Sequence, residues 1–282
     1  MLILIGGAED RKGDRAILKK VISFTGGRRV AVITTASDFP VDLGRDYHRA
    51  FISLGVQEVT LMDIRYREDA DHHGHLSAVS KADVIFFTGG DQVQLLDVLE
   101  GTALAGRIRR RLHDGATVAG TSAGAAAAGE VTIYSGDGEG HLKGTVGHRK
   151  AFGFLPGVVV DTHFMERGRL ARLAQYLSSG GLSQGIGLAE DTAAVVYPEG
   201  KFEVVGKGVV AALSAEGMAW SGYREAAARE PITVDGLRLS YLGPGSLFDL
   251  SRWGVLTEAL KGAPKSPAGR SRPEGAAKDV PS

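Results

Sequence analysis

No cysteine occurs in the 282 residues, which excludes disulfides, thiolate metal sites and a cysteine nucleophile. Charge of one sign is equally lacking. Lys+Arg and Asp+Glu each total 33, a formal net charge of +0, and nothing in that balance asks for nucleic acid or an anionic membrane surface. Long apolar runs are missing too: none approaches the ~18 residues that span a bilayer. The first run, Met1–Ile5, stops at Gly6-Gly7, too short for a signal-peptide core and with no cationic segment before it. The expectation is a cytoplasmic protein with neither a nucleic-acid nor a membrane partner.

Glycine is abundant: 40 of 282 residues, about 14% against a usual ~7%. Much of it directly follows short apolar runs, the mark of tight strand-to-loop turns. Strands are expected at Met1–Ile5, Arg29–Thr34, Glu58–Leu61, Ala82–Phe87 and Ala116–Ala119, with amphipathic helices between them. Continuous apolar strands separated by helices predict an α/β fold, a mostly parallel sheet covered on both faces. Beyond these, Gly136–Gly147 reads as a long loop, Val158–Val160 as a strand and Met165–Ser178 as a helix. Gly185–Tyr197 holds one or two strands, and Phe202–Ala212 and Ile232–Leu242 read as hairpin material. A single domain is expected over residues 1–261. The tail 262–282, rich in Pro, Gly, Ala and Lys, cannot bury enough surface to offset its ordering entropy and is expected to be disordered.

Gly120-Thr121-Ser122-Ala123-Gly124 follows an apolar strand and precedes the helix-favouring run Ala125–Ala128. This is G-x-S-x-G in the strand–turn–helix setting of a nucleophile elbow; the alternative is a turn whose small residues only allow close strand–helix packing. Of eight histidines, His163 directly follows the strand ending near Asp161, at the edge where open α/β sheets place their ligands. The cluster His72, His73 and His75 has no helix-spaced carboxylate partner, so no metal is expected there. Glu190 also lies at a strand end, where an acid would orient the imidazole. The order Ser122, His163, Glu190 differs from the nucleophile–acid–histidine order of α/β-hydrolases. Gly90, in the Thr88–Gln92 turn, and Ala123 could supply backbone amides to an oxyanion. Arg167, Arg169 and Arg172 fall at the start of the expected helix, against its dipole. They are either a solvated basic face or guanidinium groups that clamp a carboxylate. A non-catalytic ligand-binding α/β domain is the rival class, but the chain has neither G-x-G-x-x-G nor a Walker-type loop.

Six blocks in order complete the pattern. They are Gly6–Asp10 (GGAED), Phe87–Gln92 (FTGGDQ), Gly120–Ala126 (GTSAGAA), Asp161–Phe164 (DTHF), Arg167–Leu173 (RGRLARL) and Gly185–Ala193 (GIGLAEDTA). Together they resemble the cyanophycinases. The resemblance implies a serine peptidase of the aspartyl dipeptidase and cyanophycinase group, on a flavodoxin-like fold related to class I glutamine amidotransferases. Such enzymes release β-Asp-Arg dipeptides from cyanophycin, a poly-aspartate chain with arginine on each β-carboxyl. They need no cofactor and are typically homodimers. By position, Ser122 is implied as nucleophile, His163 as base and Glu190 as orienting acid; Gln92, Asp161, Arg167, Arg169 and Arg172 align with substrate-contacting positions. Thr162 stands where many members carry Gln, and Ala189 where they often carry Asp. An isoaspartyl or α-aspartyl dipeptidase acting on short peptides is the near alternative.

Overall fold

Short β-branched runs closed by glycine or polar residues become strands, and the 3.6-period stretches between them become helices. The computed structural model describes residues 1–256; the expected disordered tail, and residues 257–261 of the expected domain, lie outside the described residues. The first half alternates β1 (Leu2–Ile5), α1 (Ala16–Ser23), β2 (Arg29–Ile33), α2 (Pro40–Ser53) and β3 (Glu58–Met62). It continues with α3 (His73–Lys81), β4 (Val84–Phe87), α4 (Gln92–Leu99), α5 (Ala103–His113), β5 (Thr117–Thr121) and α6 (Ala123–Ala126). Caps fix the helix starts: Asp91 accepts from the amides of Val93 and Gln94, Thr102 from that of Ala105, and Pro40 opens α2.

The second half is strand-rich: β6 (Gly129–Ile133), β7 (His148–Lys150), β8 (Leu155–Asp161), then α7 (Leu170–Ser178). There follow β9 (Gln184–Leu188), β10 (Thr192–Val196), β11 (Lys201–Gly206), β12 (Val210–Ser214), β13 (Trp220–Ser221), β14 (Val234–Asp235), β15 (Arg238–Leu242), β16 (Leu247–Asp249) and β17 (Gly254–Val255). A nine-stranded sheet runs β17-β16-β11-β10-β1-β5-β4-β2-β3. Its β1, β5, β4, β2 and β3 are parallel, and β10, β11, β16 and β17 extend it antiparallel. A second sheet of six runs β15-β12-β9-β8-β6-β7, with β6, β8 and β9 parallel at its centre.

Strand alternation sorts the core. Ile3, Ile5, Val30, Val32, Val84 and Phe86 face α1 and α2. Leu2, Leu4, Ile33, Ile85, Phe87 and Val118 face the other way, sharing a core with α4, α5 and the second sheet's Val158, Val160, Ile186 and Leu188. The far side of that sheet (Ile133, Val159, Ala211, Leu213) is covered by Phe164 and by α7. The fold is α/β, with parallel strands forming one half of the larger sheet and the centre of the smaller one, and with helices packed on the sheets, as the alternation predicts.

Three local expectations are corrected. Phe202–Ala212 is not a hairpin: β11 pairs with β10 and β16, whereas β12 crosses to the second sheet between β9 and β15. The expected helix from Met165 begins only at Leu170, because Gly168 adopts φ 59 and closes the preceding turn. The run after Ser122 is helical for four residues only, and the chain turns at once into β6, which the alanine run concealed.

Candidate active site

The turn at Ser122 is strained. Ser122 sits at φ 50, ψ −114, outside the ordinary basins for a side-chain-bearing residue. Its two flanking glycines are sterically required: a Cβ on Gly120 would lie 2.4 Å from the Gly124 carbonyl, and one on Gly124 would lie 2.6 Å from Cβ of Phe87. The pentapeptide therefore does pack closely, and the same packing aims the serine outward. Four residues of helix carry little macrodipole; what the turn offers is the free amides of its first residues.

Three consecutive carbonyls, from the last residue of β1 onward, hold three loops together. Ile5 O accepts from the amide of Ser122 (3.0 Å), Gly6 O from that of His163 (2.9 Å) and Gly7 O from that of Asp191 (2.9 Å). Ser122, His163 and Glu190 come from both sheets, and this single strand end brings them into register. The Ser122 hydroxyl lies 2.8 Å from Nε2 of His163, and Nδ1 of His163 lies 2.6 Å from Oε1 of Glu190. With the Nδ1 proton donated to the carboxylate, Nε2 is left as acceptor for the serine hydroxyl. His163 is itself at φ 48 and largely buried, and Asp191 is at φ 45.

Gly89 and Gly90 run past the serine. A Cβ on Gly89 would sit 3.2 Å from that of Ser122, and one on Gly90 (φ 140) would strike the Ala36 carbonyl at 1.9 Å. The amides of Gly89, Gly90 and Ala123 have no acceptor among the described residues, so these donors remain available at the nucleophile.

The arginines are placed differently from the expectation. Arg167 lies exposed in the turn before α7, Arg169 is its N-cap residue, and only Arg172 lies within the helix. Arg172 is buried and bidentate on Asp161, with Nε–Oδ2 2.7 Å and Nη2–Oδ1 2.5 Å. Its Nη1 reaches Asp137 Oδ1 at 2.5 Å. Arg169 is bidentate on the same Asp137 (2.9 and 2.8 Å) and donates to the Thr162 carbonyl at 2.7 Å. Burial works against the charge of Asp137, yet hydrogen bonding from Arg169 and the charges of Arg172, Arg169 and Arg167 hold its carboxyl below the usual range. The structure thus joins Asp161, Arg169 and Arg172 to one another behind His163, and leaves Arg167 as the cation of this trio facing solvent. Gln92 donates through Nε2 to the Ile133 carbonyl at 2.9 Å, tying α4 to β6.

Two neighbours of the site, Glu9 and Tyr47, are given no role by the sequence reading. A cavity of about 150 Å³ beside Ser122 and His163 is bordered by Glu9, Arg11 and Tyr47. Glu9 is buried and accepts from the Thr121 hydroxyl at 2.6 Å and from the Tyr47 phenol. Burial, and then the Glu9 charge, push the Tyr47 phenol well above its ordinary range. In the sequence Glu9 stands within the Gly6–Asp10 block, where an acid in the first turn after β1 reads equally as a turn residue. The histidine cluster does other work: His72 caps α3 and His75 contacts the Asp69 carbonyl. Among the described residues no group of three or more His, Cys, Asp or Glu is arranged to hold a metal ion, and no helix is long and apolar enough to cross a membrane.

Comparison with known proteins places this geometry in context. The family model of peptidase family S51 matches residues 2–205. A cyanophycinase of Geminocystis herdmanii is 36% identical over 252 residues, 88% of this chain and 93% of that one. That of Trichormus variabilis is 36% identical over 259 residues, 90% of this chain and 87% of that one. Among solved structures, a peptidase from an acI-B1 actinobacterium superimposes with a TM-score of 0.67 at 23% identity, covering 88% of this chain and 96% of that one. A putative peptidase E protein from Listeria monocytogenes gives 0.52 at 21%, covering 73% and 96%. These two speak for the fold.

Proposed function

The chain belongs to peptidase family S51 and is a serine-type peptidase, and from that premise we propose that it is a cyanophycinase-type exopeptidase, cutting the poly-aspartate backbone of cyanophycin to β-Asp-Arg dipeptides. The observation that carries the chemistry is the hydrogen-bonded line Ser122 Oγ, His163 Nε2, His163 Nδ1, Glu190 Oε1, at 2.8 and 2.6 Å. Nε2 of His163 takes the Ser122 proton as Oγ attacks the scissile carbonyl carbon. Glu190 accepts the Nδ1 hydrogen bond and stabilises the imidazolium that forms. The Gly90 and Ala123 amides receive the oxyanion; one such donor contributes about 2.7–4 kcal/mol of barrier lowering. The tetrahedral adduct collapses, the amine leaves with the proton from Nε2, and water deprotonated by the same nitrogen resolves the acyl-enzyme and restores Ser122. The relatives at 36% identity support the polymer as substrate.

A second reading, a dipeptidase on short isoaspartyl or α-aspartyl peptides, is favoured by one observation: Arg169 and Arg172 are engaged by Asp137 and Asp161, which leaves Arg167 as this segment's solvent-facing guanidinium. Incubation with cyanophycin and mass spectrometry of the released peptides separates the two. Release of β-Asp-Arg by the wild type and not by Ser122→Ala supports the exopeptidase. Cleavage of small isoaspartyl peptides with no release from the polymer reassigns the substrate and keeps the triad. Assembly as a homodimer and a cytoplasmic location belong to the same proposal; light scattering of the purified protein reads the former.

A further inference from the structure

The loop that leaves β1 carries three cations beside the nucleophile, Arg11, Lys12 and Arg15, while its three acids are engaged elsewhere. Glu9 is buried against Thr121 and Tyr47, Asp10 accepts from the loop's own amides, and Asp14 pairs with Lys19. Arg11 borders the cavity at Ser122 and His163, and it also borders a second cavity of about 400 Å³ lined by Lys12, Arg15 and Arg49, with Asp46 as the one acid of that lining. The two spaces meet at Arg11. Asp46 lies 3.9 Å from Arg11, and among the described residues the side-chain cations of Lys12, Arg15 and Arg49 have no carboxylate within 4.0 Å.

The loop is built to hold this arrangement. The Asp10 carboxylate accepts from the amides of Gly13 (2.7 Å), Lys12 (3.0 Å) and Arg15 (3.1 Å). Those bonds hold the Asp10 carboxyl well below the usual range, so it remains ionised while its charge is spent on the loop backbone. Arg15 is fixed at φ 53, and its Nη1 meets the Ser53 hydroxyl on α2 at 2.5 Å. The Asp10 amide donates to Asp191 Oδ1 at 3.0 Å, which fastens the loop to the residue following Glu190. A mobile surface loop would need none of this.

We infer that Arg11, Lys12, Arg15 and Arg49 form a carboxylate-binding groove that receives the peptide chain extending away from the scissile bond. Its ligand is a peptide bearing a carboxylate at successive residues, and none of the groove's residues belongs to the Asp137–Arg169–Arg172 network. The inference rests on the acidic-peptide reading given above. Where each side chain of the substrate is a β-linked arginine, the groups recognised are the free arginine α-carboxylates, and their guanidinium groups remain at the solvent rim. Guanidinium and ammonium groups hold carboxylates by charge-assisted hydrogen bonds, and salt weakens such exposed contacts over a Debye length of about 10 Å at 0.1 M.

The test is binding of a fluorescein-labelled aspartate decapeptide, with the asparagine decapeptide as control, followed by anisotropy at 50 mM and 300 mM salt. The protein is the Ser122→Ala full chain with and without Lys12→Gln/Arg49→Gln. Both side chains are exposed, and a second pair, Lys81→Gln/Arg110→Gln, makes the same charge change on α3 and α5. The groove predicts that the first pair lowers affinity for the aspartate peptide about tenfold at low salt, while the second pair and the asparagine peptide show no such loss. Equal affinity with and without the first pair, or equal losses from both pairs, overturns it. Binding is read without turnover, so the two proposals fail separately. Groove-dependent binding by a protein that cleaves no aspartyl substrate sinks the exopeptidase alone, and cleavage with groove-independent binding sinks the groove alone.

Discussion

The imidazole of His163 fills the space that a side chain on Gly7 would need: a Cβ there would lie 2.3 Å from Cε1 and 2.6 Å from Nε2. Gly7 also sits at φ 103, and its carbonyl carries the amide of Asp191. Gly7→Ala therefore pushes the ring off the Ser122–Glu190 line. Misplacement of a reacting group by about 1 Å can cost ~100-fold in rate, so kcat on a small activated ester should fall by about that factor. Ester kinetics beside a thermal melt check it; an unchanged kcat would show that the ring is not held by this contact.

Glu190→Gln keeps the shape of the side chain and removes its charge. A neutral amide can no longer stabilise the imidazolium, and it can present its NH₂ to Nδ1, which favours the wrong tautomer. An analogous substitution in a Ser-His-Asp enzyme lowers kcat by ~10⁴, and a loss of about that order is expected here at pH 7. Covalent labelling of Ser122 by a serine-reactive phosphonate should slow in parallel. A loss of less than about tenfold would mean that Glu190 does not orient the base, and would turn attention to Asp191.

The residues proposed for the chemistry were legible because their signals are local. The apolar run before Gly120, and the strands ending near Asp161 and Ala189, place Ser122, His163 and Glu190 at sheet ends from pattern alone. What stayed hidden depends on distant partners. Asp137 lies in a loop with no periodicity, and its guanidinium partners are 32 and 35 residues away. Glu9 gains its meaning only when Thr121 and Tyr47 close over it. The start of α7 was misread because Leu170 continues an apolar spacing through Gly168, although Leu170 is exposed and the helix packs through Leu173, Tyr176 and Leu177. The second sheet escaped because β6 follows an alanine run that favours helix.

Arg172 and Arg167 should now separate where the sequence treated them alike. The Arg172 and Asp161 side chains are each 2% exposed, and removing one partner of such a pair leaves an uncompensated buried charge at a cost of about 3–5 kcal/mol. Arg172→Met should lower Tm by roughly 10 °C and depress turnover of neutral ester and aspartyl peptide alike. Arg167→Gln, at an exposed position, should leave Tm unchanged and lower kcat/KM several-fold on aspartyl peptides only. Melting curves and a two-substrate comparison decide; the reverse pattern would return Arg172 to the substrate.

Asp137 gives the site an acid-sensitive hinge. Its carboxyl is held below its unfolded value, which is about 4. A depressed carboxyl contributes stability that is complete above the unfolded pKa and is lost as pH falls through the folded one. The wild type should therefore lose this contribution on acidification from about pH 5 downward. Asp137→Asn lacks it throughout, so its urea midpoint should be lower at pH 7, change less between pH 5 and 3, and approach the wild type at the acid end. Stability curves that stay parallel would show that the pairing with Arg169 does not survive in solution. The consequence reaches the site, because the Arg169 that Asp137 holds also donates to the carbonyl of Thr162, the residue before His163. Protonating Asp137 frees that guanidinium, and the turn that sets the imidazole loses a support before the fold itself fails. Protonation of His163 slows both enzymes alike as pH falls, so the test is their ratio. Ester turnover by Asp137→Asn should be lower than that of the wild type at pH 7 and approach it as the wild-type Asp137 is protonated. A ratio that does not change with pH would show that Asp137 does not support the turn.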